Sequence, residues 1–183
     1  MYITKNNSLL DADLILNKAG LEENMKVADL GCGNMGYFAF QSAKIVGNNG
    51  KVFAVDIMKT ILEIIDRRIR TDNLKNIKTV WSDIEKFKAT KIENSSLDIA
   101  LLINILYQSQ KRVEILRESI RMLKKGGKIV IVEWKNCKIP FGPPISERVK
   151  MEVLEINASK LGLKLEKKFF AGSYHYGLIF IKI

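Results

Sequence analysis

Short apolar runs of strand length alternate along most of the chain with segments whose apolar residues recur at helical spacing. This alternation is typical of a mostly parallel sheet covered by helices on both faces. The predicted strands are 26–29, 51–56, 77–81, 97–103, 128–133, 163–169 and 176–183. The predicted helices are 11–19, 37–46, 58–71, 111–123 and 146–161, with a short helix within 82–96. The sequence therefore predicts an α/β fold with three layers and seven strands.

The connection between the last two predicted strands is too short to hold a helix, since only residues 170–175 join them. A parallel neighbour needs a longer crossover, whereas a short turn makes an antiparallel pair. We therefore expect the last strand to run antiparallel to the other six. The turn at 172–175 would then lie at the edge where the parallel strands have their carboxyl ends.

The chain is predicted to be a single domain over residues 1–183, because no repeat or flexible linker divides it. Its two cysteines, Cys32 and Cys137, do not form a disulfide framework, and no Cys/His spacing suits zinc, so no metal site is predicted. We expect a reducing, cytoplasmic setting. Neither a membrane span nor a signal peptide is indicated, since the first seven residues lack the apolar run that a signal peptide needs.

The charge balance is basic: 30 Lys and Arg stand against 20 Asp and Glu, a formal net charge of +10. An excess of basic residues is found in proteins that bind nucleic acids or anionic lipids. It is also found where codon usage enriches lysine throughout a proteome. The densest groups, 67–70 and 124–125, fall at predicted helix ends, where cations complement the helix dipole. The charge is a weak pointer to an anionic partner.

A glycine-rich turn follows the first predicted strand and precedes a helix. Gly31, Gly33 and Gly36 satisfy the pattern G-x-G-x-x-G, and Asp56 ends the next strand. In this context the backbone of the turn can approach a nucleotide while the carboxylate accepts hydrogen bonds from ribose hydroxyls. The sequence therefore predicts a nucleotide-cofactor site.

Two cofactor classes fit this turn, a dinucleotide and S-adenosylmethionine. Asp29 lies two residues before the first glycine, where its charge would face the pyrophosphate of a dinucleotide. S-adenosylmethionine has no phosphate and carries a sulfonium and an ammonium group, which a carboxylate can accommodate. Asp29 and the antiparallel last strand favour S-adenosylmethionine.

With these motifs the sequence resembles the Rossmann-like (class I) S-adenosylmethionine-dependent methyltransferases, in particular the ubiquinone/menaquinone-biosynthesis (type 11) branch. The segments 29–33, 55–57, 81–84, 97–104 and 123–132 are similar to motifs of that family. The resemblance implies a Rossmann-like methyltransferase fold, with Asp83 bonding the adenine amino group. It also implies further cofactor contacts from Cys32, Ile57, Ile84 and Asn104, and the product S-adenosylhomocysteine.

One departure concerns the third glycine. The family often reads G-x-G-x-G, whereas Asn34 and Met35 separate Gly33 from Gly36 here. Gly36 is therefore one residue further along than the family's third glycine, and Asn34 or Met35 is an alternative to it as a contact to the methionine moiety. Residues 1–24 are then a leading helical segment, 25–134 the cofactor-binding half, and 135–183 the substrate-side loop, helix and hairpin.

No catalytic residue is identified by the sequence. Methyl transfer needs alignment above all, and a base only if the acceptor must lose a proton. His175 and Tyr107 are weak candidates, because both follow predicted strands at the ligand edge. The segment beginning at Asn104 lacks the prolines of the Asn-Pro-Pro-Tyr signature of amino-group methyltransferases, so Asn104 is interpreted as a wall of the cofactor pocket.

The predicted function is methyl transfer from S-adenosylmethionine to an unidentified acceptor, with a small molecule slightly favoured over RNA or a protein side chain. Two hypotheses from other classes remain. One is a binding module or partner subunit that holds the cofactor without catalysis. The other is a nucleotide-dependent oxidoreductase, which NAD(P) would stabilise. The oligomeric state is not predicted.

Overall fold

The computed structural model describes residues 9–33 and 35–183. Expectations about the first seven residues and about Asn34 lie outside them. The seven strands form one sheet in the order β3-β2-β1-β4-β5-β7-β6, and β7 alone runs in the direction opposite to the other six. The predicted α/β, Rossmann-like fold with an antiparallel last strand is therefore confirmed. The strands are β1 (Lys26–Leu30), β2 (Lys51–Asp56), β3 (Ile77–Trp81), β4 (Leu97–Ile103), β5 (Leu123–Trp134), β6 (Leu163–Phe170) and β7 (His175–Lys182).

The helices form the two outer layers. One core cluster joins the sheet to the first three helices, and a second joins its other face to the last two. Burial of these apolar stripes is the main favourable term in the fold. The helices are α1 (Ala12–Ala19), α2 (Tyr37–Val46), α3 (Lys59–Thr71), α4 (Arg112–Met122) and α5 (Met151–Lys160).

The ends of α1 are as the sequence predicts. The Asp11 side chain accepts the Leu14 N–H at 3.1 Å, which satisfies one of the free amides of the first turn. Gly20 ends the helix in the left-handed region at φ 74°, and its N–H donates to carbonyls of the last turn.

Three local predictions are wrong. Segment 82–96 forms turns and no helix, because buried Glu118 accepts the N–H groups of Lys88 and Thr90 and holds the chain outside a helical path. Helix α5 does not begin at residue 146: Ser146 lies in a short 3-10 turn, and the helix begins after Lys150.

The third concerns the boundary between the predicted helix 111–123 and the predicted strand 128–133. Helix α4 ends at Met122 and the chain turns at Leu123 directly into β5, so the strand begins earlier than predicted and contains Gly126 and Gly127. On α3, Leu62 is buried and Ile64 is exposed, because residues two positions apart on a helix lie on nearly opposite sides of it.

The sheet order places a crevice at the carboxyl ends of the strands. β1 has β2 on one side and β4 on the other, so the chain reverses its direction of winding at β1. Loops leaving β1 and β4 go to opposite faces, and the gap between them is where open α/β sheets bind ligands. In the part of the chain that the structure describes, no helix is long and apolar enough to cross a membrane.

Candidate functional site

A cavity of about 400 Å³ lies at the carboxyl ends of β1 to β4. Six of the predicted cofactor residues line it, namely Gly31, Gly33, Asp56, Ile57, Asp83 and Ile84. The other four, Asp29, Cys32, Gly36 and Asn104, lie beside this lining and not in it. The structure thus brings together residues from three separate loops.

The glycine turn has the geometry that only glycine adopts readily. Gly31 and Gly33 both have positive φ angles, 80° and 64°. A Cβ atom at Gly31 would lie 2.6 Å from the Ile105 side chain, so the turn and the loop after β4 touch there. A Cβ at Gly33 would meet nothing within 4 Å, because Gly33 borders open space in the cavity.

The carboxylate of Asp56 holds the turn from β2. Its Oδ2 accepts the Gly33 N–H at 3.1 Å, and its Oδ1 accepts the Met58 N–H at 2.9 Å. Each carboxylate oxygen has a further lone pair. Asp56 can therefore fix the turn and still accept hydroxyl groups of a ligand in the cavity.

Asp29 is buried behind the turn, where its Oδ2 accepts the Ala39 N–H at 3.0 Å. It therefore caps the first turn of α2. Burial raises the pKa of Asp29 to about 7, opposed by this hydrogen bond and assisted by the charge of Asp56. The place that a pyrophosphate would need at this helix N-terminus thus holds a carboxyl group.

The remaining residues of the turn are held by backbone contacts. The N–H of Cys32 donates to the Val55 carbonyl at 3.0 Å, and burial raises the pKa of its thiol, with a further contribution from Asp29. Gly36 precedes α2 at φ 52° and donates its N–H to the Gly33 carbonyl. Met35, the alternative cofactor contact, is 58% exposed.

Asp83 lies on the far wall of the cavity, after β3. Its Oδ1 accepts the Glu85 N–H at 3.0 Å, and its Oδ2 is 3.3 Å from the Lys86 ammonium. Ile57 and Ile84 border the cavity on the β2 and β3 sides, which gives it two apolar flanks. A planar apolar ring fits between such flanks, with its polar edge toward Asp83.

Sequence reasoning missed the wall that closes the cavity from β4. Gln108 and Ser109 line it, and the Ser109 hydroxyl donates to Glu85 Oε1 at 2.6 Å across the opening. Their only signal in the sequence is that they follow a predicted strand. The other lining residues that were not predicted are Met58, Ile61, Ser82, Glu85, Ile105 and Ile115.

The two catalytic candidates lie outside the cavity lining. His175 is fully buried at the start of β7, with its Nε2 3.2 Å from Asn104 Nδ2. Burial lowers its pKa to about 4, with contributions from Lys135 and Arg148, so the imidazole is neutral at pH 7. Tyr107 is partly buried, and burial and Glu133 raise the pKa of its phenol.

The charge of the cavity is opposite to that of the chain. Asp56, Asp83 and Glu85 line it, and among residues 9–33 and 35–183 no lysine or arginine does. Lys86 and Lys111 offset part of this charge, since they pair with Asp83 at 3.3 Å and with Glu85 at 3.7 Å, respectively, and the carboxylates of the lining favour a cationic ligand over a phosphate. In the same part of the chain, no group of three or more His, Cys, Asp or Glu residues is placed to hold a metal ion.

The fold and the glycine turn define a Rossmann-like cofactor-binding domain. A family described as "Methyltransferase domain" matches residues 21–169, and the chain belongs to this family. The demethylmenaquinone methyltransferase of Lactococcus lactis is 27% identical over 126 residues, which cover 69% of this chain and 48% of that protein. The ubiquinone/menaquinone biosynthesis C-methyltransferase of Azotobacter vinelandii is 26% identical, covering 64% of this chain and 46% of that protein.

The chain thus spans about half the length of the curated relatives that it matches. A solved structure of a SAM-dependent methyltransferase from Aquifex aeolicus shares the fold with a TM-score of 0.87 at 23% identity, covering 96% of this chain and 91% of that one. A type 11 methyltransferase from Sulfolobus solfataricus gives a TM-score of 0.76 at 23% identity, covering 96% and 94%. The resemblance to class I methyltransferases of the ubiquinone/menaquinone type is confirmed.

Proposed function

We propose that the protein transfers the methyl group of S-adenosylmethionine to a small-molecule acceptor. The observation that carries the cofactor assignment is a cavity lined by carboxylates beside a glycine turn. A dinucleotide would bring a pyrophosphate to the N-terminus of α2, where Asp29 already accepts the Ala39 N–H. S-adenosylmethionine brings a sulfonium and an ammonium group, which gain energy from nearby carboxylates.

The cavity suggests how the nucleoside would lie. Asp56 stands at the end of β2 with free lone pairs, so it is assigned the ribose hydroxyls. The adenine ring would lie between Ile57 and Ile84 with its amino group toward Asp83. The methionine part would then extend along Gly31 and Gly33 toward Asn104, with Gly36 acting through the turn and not by direct contact.

The cofactor supplies an electrophilic methyl group, and the protein's part is alignment. Gly31 and Gly33 bring backbone close to the ligand, while Asp56 fixes both the turn and the ribose. The buried position of His175 and the lowered pKa of its imidazole do not favour it as a proton acceptor near neutral pH. An acceptor that is already nucleophilic at neutral pH suits this site.

Acceptor binding is assigned to the same edge of the sheet, beyond β4. The loop after β5 folds over Trp134 there, with Phe141 packed edge-on against that ring at 6.3 Å between centroids. Phe141 also packs against Tyr174 at 4.8 Å. Aromatic walls suit a flat apolar acceptor, and the names of the curated relatives point to quinone precursors as the first compounds to test.

The test is methyl transfer from radiolabelled S-adenosylmethionine to separate arms of total RNA, total protein and demethylmenaquinone kept in its reduced hydroquinone form, because only the reduced ring has a nucleophilic carbon and can replace a proton by a methyl group. We expect label in the quinone arm. Label only in RNA or protein would contradict the small-molecule assignment and leave the cofactor assignment standing. Binding of the cofactor without transfer to any arm would support the alternative of a non-catalytic module.

A further inference from the structure

A carboxyl group outside the cavity is held in an unusual way at the end of β5. Glu133 has no exposed surface, and its Oε1 accepts two consecutive backbone N–H groups, from Leu106 at 2.7 Å and from Tyr107 at 3.2 Å. Among the described residues its Oε2 has no hydrogen-bond partner. One oxygen is thus fully used while the other is buried and unpaired.

This arrangement lowers the stability of the folded protein. A buried polar atom without a partner costs about 1–3 kcal/mol, and more if it is charged. Burial raises the pKa of Glu133 to about 7, although the backbone hydrogen bonds and the charge of Arg112 act in the opposite direction. A buried polar group that is left unpaired, with no compensating interaction nearby, is expected at a functional site.

The two N–H groups belong to the turn between β4 and α4, residues 104–109. Its 3-10 segment is Leu106–Gln108. Ile105 and Gln108 line the cavity, and Ile105 lies against Gly31. This turn is the part of the chain that faces the glycine turn across the cavity.

The same turn reaches the opposite wall. Gln108 Nε2 donates to the Asn104 carbonyl at 2.9 Å, which tightens the turn, and the Ser109 hydroxyl donates to Glu85. On the outer side, Arg112 Nε donates to the Leu106 carbonyl at 2.9 Å. The position of the cavity wall therefore depends on two anchors, Glu133 from the sheet and Arg112 from α4.

We propose that Glu133 is a positioning residue for the cofactor: through the N–H groups of Leu106 and Tyr107 it holds turn 104–109 closed against the bound nucleoside. The inference rests on the proposed function. A carboxylate makes shorter and stronger hydrogen bonds to N–H groups than a neutral amide does. The charge of Glu133 therefore fixes the wall more firmly than glutamine would, at a cost to the stability of the fold.

The test compares Glu133→Gln with the wild type by calorimetric titration with S-adenosylhomocysteine at pH 8, together with the melting temperature of each protein without ligand. We expect affinity to fall about tenfold, since charge-assisted bonds are lost. We expect the melting temperature to stay the same or rise, because the buried charge is gone. Substitution of a residue with a purely structural role would not lower the affinity while leaving the melting temperature unchanged or higher.

Tyr176→Phe is the matched control. Tyr176 lies directly opposite Glu133 on β7, is also buried, and donates its hydroxyl to the Val149 carbonyl at 2.7 Å, away from the turn. The melting temperature of this variant should fall, and its affinity for S-adenosylhomocysteine should stay the same. Arg112→Gln is a second test, and it does not alter the buried carboxyl group. This variant should also bind S-adenosylhomocysteine more weakly, because it removes the other anchor of turn 104–109.

Equal affinity of wild type and Glu133→Gln would overturn the inference alone and leave the proposed function intact. A parallel loss of affinity and melting temperature in Glu133→Gln would also overturn it. If Glu133→Gln does not fold, unchanged affinity of Arg112→Gln for S-adenosylhomocysteine would overturn the inference instead. No binding of S-adenosylhomocysteine by the wild type would overturn the proposed function and, with it, the inference.

Discussion

The carboxylate of Asp29 accepts the Ala39 N–H at 3.0 Å, so an acidic side chain occupies the N-terminus of the helix that follows the glycine turn. In a dinucleotide site this position receives the pyrophosphate. A single buried residue therefore separates two cofactor classes that share the same glycine pattern. The sequence places Asp29 near the cofactor, and the structure shows that it acts by capping α2.

The pKa of Asp29 makes stability depend on pH. It is raised from 3.8 to about 7 in the folded protein, so between about pH 4 and pH 7 the folded state binds more protons than the unfolded state. The free energy of unfolding must then fall as pH rises through this range. Asp29→Asn keeps an acceptor for Ala39 and removes this dependence. We expect it to be more stable than wild type at pH 8 by at least about 1 kcal/mol.

Urea denaturation of both proteins at pH 5 and pH 8 checks this prediction. Glu133 contributes with the same sign, since its pKa is also raised to about 7, and His175 contributes with the opposite sign between about pH 4 and pH 6.5. The difference between wild type and variant isolates Asp29. A variant that loses stability equally at both pH values would contradict the account.

Asp56→Ala should weaken binding of S-adenosylhomocysteine about 100-fold or more, because the ribose contact and the support of Gly33 are lost together. The fold should remain, since Asp56 lies at a strand end. Calorimetry gives the affinity and circular dichroism the fold. Unchanged affinity in a folded variant would remove Asp56 from the site.

The two cavity glycines should respond differently to alanine. Gly31→Ala combines a left-handed backbone with a contact 2.6 Å from Ile105, so we expect a loss of about 2 kcal/mol or more in the free energy of unfolding. Gly33→Ala has room for its methyl group and should lose about 1 kcal/mol. The Gly33 methyl group borders the cavity, however, and should reduce cofactor affinity.

Chemical denaturation and calorimetry of both variants test this contrast. The double variant Gly31→Ala with Ile105→Ala serves as a control, because it removes the close contact and keeps the backbone strain. Coupling between the two sites is expected, as they touch. Equal stability losses in the two glycine variants would be inconsistent with the structure.

His175 gives a direct measure of burial at the acceptor edge, because it is the only histidine in the chain. Its imidazole should titrate with a midpoint well below its ordinary value of 6.5, near 4. NMR of ¹³C-labelled histidine between about pH 3 and pH 8 measures this midpoint, and a single histidine needs no resonance assignment. A midpoint near 6.5 would show that the ring is in contact with water and reopen its role as a base.

Much of the fold follows from local pattern. The bounds of α2 and β2 are as predicted, since the periodicity changes abruptly at Gly36, Gly47 and Gly50. The start of β5 was not predictable, because Gly126 and Gly127 favour a helix end whereas pairing of Leu123 with Leu97 extends the strand. Tertiary pairing overrides local preference there.

Local sequence likewise predicts some residues of the candidate site and not others. Gly31, Gly33 and Asp56 carry a local signal, as they follow predicted strands in a known order. Ser109 and Glu85 also follow predicted strands, but nothing local pairs them: their contact joins loops 24 residues apart in sequence, and only the folded sheet brings them together. The role of Glu133 is likewise visible only once β5 lies beside the turn after β4.

The central claim is that the cavity takes a phosphate-free, cationic adenosine cofactor. Calorimetric titration of one sample with S-adenosylmethionine, S-adenosylhomocysteine and NAD⁺ tests it most directly. We expect the first two ligands to bind with dissociation constants on the order of micromolar and NAD⁺ to give no detectable heat. Binding of NAD⁺ with no binding of S-adenosylhomocysteine would contradict it.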